Sequence, residues 1–121
     1  MLLATSNQSK QLLHISFIGT VRPEDFQSSR ADVAAQLAGL SPNFHCLVDL
    51  THLDSMGLDC MAELGQWMDL IGQAGVGLVV RVIPDPSKDI GMNILAIFHY
   101  PHQLQVVNCK NLTEAVKALG L

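Results

Sequence analysis

Apolar residues follow two different periods along the chain, and the alternation between them predicts the order of strands and helices. Short runs rich in β-branched and aromatic residues predict strands at 12–19, 44–50, 75–84 and 104–109. Stretches with apolar residues every three to four positions predict helices at 23–39, 56–73, 85–98 and 111–120. Residues 1–10 are compatible with either a first edge strand or a frayed tail.

The residues at the ends of the predicted helices support these boundaries. Pro23 suits a first helical position, because the N–H that it lacks has no partner there. Asp85 is a candidate cap ahead of Pro86. Asn111 and Glu114 have capping-box spacing, and Gly120 is placed to end that helix. Strands and helices therefore alternate with short connections.

This order of elements predicts an α/β fold in a single domain that spans residues 1–121. We expect a mixed, mostly parallel sheet of four to five strands with about four helices. The run at 44–50 is densely apolar, which is typical of a central strand covered on both faces.

The composition indicates a globular chain with few charges. Hydrophobic residues make up 49% of the sequence, charged residues 15%, and the mean hydropathy is +0.30. The net charge is −4, and there is no Lys or Arg between Arg30 and Arg81, although this span contains six acidic residues: Asp32, Asp49, Asp54, Asp59, Glu63 and Asp69. Binding to a phosphate backbone requires clustered cations, so we expect no nucleic-acid partner, and a basic protein would suit this span better.

The cysteines and the apolar runs indicate the cellular compartment in which the protein resides. Cys46, Cys60 and Cys109 form no CxxC motif, which favours reduced, buried thiols in a cytoplasmic protein. The first residues do not resemble a signal peptide, and no apolar run approaches the roughly 20 residues that span a bilayer. We therefore predict a cytoplasmic protein without a membrane span.

None of the common catalytic or cofactor-binding patterns occurs in the sequence. The turn after residue 19 has neither the GxGxxG nor the P-loop pattern, and there is no HExxH or GxSxG motif. His99 and His102 are separated by Pro101 and are not expected to share a helix. We therefore predict a protein that is not an enzyme and that has neither a metal site nor a cofactor.

The segment "THLDSMGLD", residues 51–59, joins the central strand to the following helix. Asp54 or Ser55 could cap that helix, and Gly57 would let the backbone enter it tightly. These structural roles leave Met56 unexplained. Its side chain could point into the core or stand exposed.

The sequence from residue 47 to residue 80 resembles the central motif of STAS domains, the family of anti-sigma-factor antagonists. The matching parts are Asp49-Leu50-Thr51, then Asp54-Ser55-Met56-Gly57-Leu58, then Gly75 and the apolar run at 78–80. The terminal "NLTEAVKALG" is similar to the last helix of the family, and order and spacing agree from about residue 11 to residue 120. The segment 85–103 is not one that the family leads us to expect.

The resemblance implies a regulatory phosphorylation, and Met56 departs from it. In the family, a partner kinase that is also the anti-sigma factor phosphorylates the Ser or Thr directly before the Gly, and here Met56 has no hydroxyl. Three alternatives follow. The protein binds its partner constitutively with Met56 as an apolar contact, Ser55 or Thr51 takes over as phosphoacceptor, or the domain has left the sigma pathway and binds a small ligand or lipid.

The resulting hypothesis is a non-enzymatic module for protein–protein interaction and regulation. It would dock a protein partner, such as an anti-sigma factor kinase or another signalling protein, through a loop of Thr51, Asp54, Ser55, Met56, Gly57 and Leu58 and the start of the next helix. Ser55 is the candidate phosphoacceptor, although we expect neither Ser55 nor Thr51 to be phosphorylated. The alternative is a small-ligand- or lipid-binding domain of a transport system. The oligomeric state stays open, a dimer included.

Overall fold

The computed structural model describes residues 1–88, 96 and 99–121 and shows five strands and three α-helices in this part of the chain. The strands are β1 (Leu2–Asn7), β2 (Leu12–Val21), β3 (His45–Met56), β4 (Leu78–Val82) and β5 (Gln105–Cys109). The helices are α1 (Pro23–Ala38), α2 (Met61–Gln73) and α3 (Leu112–Leu119), and 3₁₀ turns occur at Leu58–Cys60 and Pro86–Lys88.

The five strands form one mixed sheet in the order β1-β2-β3-β4-β5. β1 pairs antiparallel with β2, and the remaining neighbours are parallel. The predicted α/β fold and mostly parallel sheet are confirmed, and residues 2–7 form an edge strand rather than a frayed tail. This order places β3, with the candidate site at its end, in the middle of the sheet.

Successive side chains of the central strands enter two separate cores. Cys46, Val48 and Val79 point to the face covered by α1 and α2. Leu47 and Val80 point to the other face, where α3 covers the sheet with Ala115 and Leu119. The run at 46–48 is therefore apolar at successive positions, because β3 is buried on both faces there.

The aromatic residues are concentrated in the larger core. Phe26 of α1 lies between Phe17 and Trp67, with ring centroids 6.0 Å and 5.2 Å away and edge-to-face geometry in both pairs. The indole N–H of Trp67 donates to the carbonyl of Phe26 over 3.3 Å. These contacts fix α1 against α2.

The expected number of helices requires a correction. The described residues contain three α-helices where about four were predicted. Most of the fourth predicted helix, including its apolar residues Ile90, Ile94, Ile97 and Phe98, lies outside the described residues. Asp85 does accept a hydrogen bond from the backbone N–H of Ser87 over 3.0 Å, at a 3₁₀ turn.

The predicted N-cap Asn111 and the predicted end at Gly120 are confirmed for the last helix, whereas the side chain of Glu114 bonds to Lys110 and not to Asn111. Asn111 Oδ1 accepts from the N–H of Glu114 over 2.9 Å, and Glu114 accepts from the N–H of Lys110 over 2.7 Å. Gly120 ends α3 in the left-handed conformation with φ of 73°. Local sequence therefore determines this helix.

We expect Gly75→Ala to lower the free energy of unfolding by about 1–3 kcal/mol, because of backbone strain and a steric conflict together. Gly75 has φ of +93°, and an added Cβ would lie 3.2 Å from Cβ of Pro42. Gly120→Ala is the matched control, since its φ is also positive but a Cβ there meets nothing within 4 Å. Urea denaturation of both variants separates the two costs, and equal losses would contradict the predicted role of Pro42.

Candidate functional site

The segment predicted as a loop from 51 to 58 begins as an extension of β3. The strand continues to Met56 because β2 continues beside it, with Thr20 opposite Ser55 and Val21 opposite Met56. The register between the two strands shifts twice on the way, after Ser16 and after Gly19. The candidate site is therefore built on the sheet as far as residue 56.

Asp49 and Thr51 form a local structure at the point where β3 leaves the buried part of the sheet. Asp49 is buried, and one of its carboxylate oxygens accepts hydrogen bonds from the backbone N–H of Thr51, over 2.9 Å, and from the Thr51 hydroxyl. The Asp-Leu-Thr motif thus holds the exposed Thr51 in place, and its hydroxyl is already engaged.

Asp54 and Ser55 do not cap α2, contrary to the expectation. Both are exposed and lie within the β3 extension. The hydroxyl oxygen of Ser55 lies 3.2 Å from that of Thr20 on β2. α2 begins at Met61 after the 3₁₀ turn, and its N-cap residue Cys60 makes no capping hydrogen bond with its side chain.

Met56 is buried in the larger core, with 5% of its surface exposed. This corrects the expectation that Met56 is an apolar contact for a partner, because its side chain is already packed inside the protein. The residue directly before Gly57 therefore faces the core in this chain.

Leu58 takes the exposed position that was expected for Met56. It is 78% exposed and begins the 3₁₀ turn after Gly57. Gly57 itself has φ of −77°, a conformation that any residue can adopt, so the predicted need for glycine in the backbone is not confirmed. An added Cβ on Gly57 would lie 2.6 Å from Oδ1 of Asp59, so the carboxylate folds over this glycine.

We call the exposed residues Thr51, Asp54, Ser55, Gly57, Leu58 and Asp59 of this segment the Leu58 surface. It carries two carboxylates and no Lys or Arg, and the exposed His52 lies between Thr51 and Asp54 in the sequence. Behind it, polar contacts join α1 to α2, where Gln27 donates to Glu63 over 3.1 Å and Arg30 donates to Gln66 over 2.6 Å. The surface is apolar at its tip and acidic around it.

The three cysteines do not contribute reactive thiols to this surface. Burial raises the pKa of Cys46 to about 12, against a smaller opposing effect of the Arg81 charge. Burial also raises the pKa values of Cys60 and Cys109. The thiolate form that nucleophilic chemistry requires is therefore disfavoured at all three positions.

Among residues 1–88, 96 and 99–121, no group of three or more His, Cys, Asp and Glu side chains is arranged to hold a metal ion. Within the same residues, no helix combines the length and the apolar character needed to cross a bilayer.

Two features of the structure were missed by the sequence analysis. Arg81, assigned only to a strand, is 1% exposed and lines a small internal cavity of about 20 Å³ together with Trp67 and the buried Tyr100. Asp69 of α2 contacts His99 over 2.8 Å. Both depend on contacts between distant parts of the chain, and the sequence carries no local signal for them.

Comparison with solved structures shows that the chain has the SpoIIAA-like fold of STAS domains. An uncharacterised DUF3478-family protein with a SpoIIAA-like fold from Shewanella loihica PV-4 matches with a TM-score of 0.71 and 16% identity, over 98% of this chain and 92% of that one. The unphosphorylated anti-sigma factor antagonist SpoIIAA matches with a TM-score of 0.62 and 14% identity, over 99% and 98% of the two chains. An anti-sigma factor antagonist from Mycobacterium paratuberculosis matches with a TM-score of 0.57 and 20% identity, over 100% and 94%.

No family model and no curated protein matches the sequence. The likeness to the solved structures therefore concerns the fold, as the STAS-like sequence motif led us to expect.

Proposed function

We propose that the protein is a non-enzymatic regulatory module that docks a protein partner through the Leu58 surface and the start of α2. The observation that carries this proposal is the 78% exposure of Leu58, a large apolar side chain at the tip of an otherwise polar edge. Apolar side chains at the centre of an interface, enclosed by polar residues, commonly provide most of the binding free energy. Leu58 would enter an apolar pocket of the partner.

The charge around Leu58 indicates the chemistry of the partner. Asp54 and Asp59 lie on the Leu58 surface and Glu63 follows in the first turn of α2, whereas the sequence contains no Lys or Arg from 31 to 80. A partner with basic residues around an apolar pocket would be attracted at long range and held in a fixed orientation. A basic protein is therefore the partner that we propose.

The site favours constitutive docking, that is, docking that is not switched by phosphorylation. SpoIIAA is known in an unphosphorylated and a phosphorylated form. In this chain, the residue before Gly57 is the buried Met56, and the hydroxyl of Thr51 is engaged by Asp49. Ser55 is the hydroxyl on the Leu58 surface that a kinase could reach most easily, although we expect it to remain unmodified.

The partner can be identified with a photoreactive residue at position 58 of the full chain in its native host. We expect a covalent adduct with one protein at position 58 and none at position 112, where Leu112 is also partly exposed but lies on α3. Mass spectrometry would identify the adduct and show whether Ser55 carries a phosphate. An adduct that forms equally at both positions, or only at 112, would contradict the proposed docking surface.

A further inference from the structure

We propose that a groove between α2 and residues 99–101 is a second contact point for the partner and that it takes an arginine side chain. This inference rests on the proposed docking function in one respect, namely that the arginine belongs to the protein partner. The groove itself is a feature of the isolated chain and can be tested without that partner.

Two glycines on one face of α2 allow the segment 99–101 to pack against the helix beside the groove. Gly65, Asp69 and Gly72 follow each other at helical spacing and share this face. A Cβ on Gly65 would lie 2.6 Å from Nε2 of His99, and one on Gly72 would lie 3.4 Å from Cδ of Pro101. The segment from His99 to Pro101 therefore packs directly against the helix, which a larger residue at position 65 would prevent.

The resulting groove has a volume of about 310 Å³. Its described lining consists of Asp69, Gly72, Gln73, His99, Tyr100 and Pro101. Binding pockets for small molecules begin at roughly 300 Å³, so this space is large enough for one long side chain. We call it the Asp69 groove.

The polar groups of the groove favour a cation that can donate several hydrogen bonds. Asp69 Oδ1 accepts from Nδ1 of His99 over 2.8 Å, because a carboxylate can only accept. The second carboxylate oxygen of Asp69 takes no part in this contact. Gln73, one turn further along α2, adds a side-chain amide at the groove.

A guanidinium group matches this set of acceptors better than an ammonium group does. Its planar fork carries five N–H donors and binds a carboxylate with two parallel hydrogen bonds, and its faces stack on flat side chains. The ring of Pro101 and the imidazole of His99 offer such surfaces in the groove. The acidic span from 31 to 80, without Lys or Arg, adds a favourable field.

The position of the groove connects it to the Leu58 surface. Leu58 lies in the 3₁₀ turn that leads into α2, and Asp69 lies eleven residues further along the chain, a rise of roughly 16 Å along the helix axis. A single partner can therefore contact both at once. Its apolar pocket would hold Leu58 while an arginine reaches the groove.

The test is an NMR titration of the full chain with N-acetyl-arginine amide, and with N-acetyl-citrulline amide as the uncharged isostere. We expect saturable shifts of the Gly65, Gly72 and Gln73 amides with arginine, and at least fivefold weaker binding of citrulline. Asp69→Asn should abolish the arginine response, whereas Asp32→Asn, which removes an exposed carboxylate on α1, should preserve it.

Equal responses to arginine and citrulline, or unchanged binding by Asp69→Asn, would overturn the proposal. An equal response to N-acetyl-lysine amide would overturn the assignment to arginine. If Asp69→Asn does not fold, the comparison of the two ligands on the wild-type chain decides alone. Failure of this test leaves the role of Leu58 untouched, and failure at Leu58 leaves arginine binding to the groove measurable.

Discussion

Met56→Asp should lower the free energy of unfolding by about 3–5 kcal/mol, because the substitution places a charge in the larger core and removes the packing of the methionine. Met56 is 5% exposed and packs in the same cluster as Phe26 and Trp67. Trp67, the only tryptophan, is 2% exposed, so its fluorescence reports the loss of this core during urea denaturation.

Leu58→Asp is the control for this substitution, because it makes the same kind of change two residues away. Leu58 is 78% exposed, and surface substitutions of this kind usually change the free energy of unfolding by no more than about 0.5 kcal/mol. A Met56→Asp variant with the wild-type urea midpoint would contradict the burial of Met56. Loss of binding by Met56→Asp alone would not identify a docking residue, since that variant is expected to be destabilised.

The order of strands and helices could be predicted from the sequence because most of it is encoded locally. The pairing of Asn111 with Glu114 at the start of α3 requires only short-range contacts. The apolar run at 44–50 indicates a strand covered on both sides wherever it lies in the sheet.

The extension of β3 to Met56 could not be predicted in the same way. His52, Asp54 and Ser55 are polar and exposed, which is typical of a loop, whereas Leu53 and Met56 are buried. Two shifts in the register with β2 interrupt the regular alternation that would indicate a strand. Whether residues 51–56 form a strand therefore depends on their pairing with β2.

The positions of the site residues follow from this extension. Asp54 and Ser55 have the side chains of helix caps, but they lie in the strand, and α2 begins only at Met61, after the 3₁₀ turn. Of the two apolar residues expected in the docking loop, Met56 is buried and Leu58 is exposed. The contact of Asp69 with His99 joins residues thirty positions apart, and no local pattern signals it.

Leu58→Asp should weaken binding of the partner captured at position 58 by about 30-fold or more, equivalent to about 2 kcal/mol. The substitution removes the apolar group at the centre of the proposed interface and puts a carboxylate into an apolar pocket. Partner residues that pair with Asp54 and Asp59 would remain in place, so the loss should come mainly from faster dissociation.

Leu112→Asp provides a matched control for binding. Leu112 is 46% exposed, and an acidic residue in the first turn of α3 interacts favourably with the helix dipole. The variant therefore makes the same chemical change away from the Leu58 surface without a cost to the fold.

The most direct test of docking through the Leu58 surface is the dissociation constant of the purified partner for the wild type, Leu58→Asp and Leu112→Asp, each first shown to be folded. We predict a rise of about 30-fold or more for Leu58→Asp alone. Equal dissociation constants for the three proteins would show that the partner binds elsewhere.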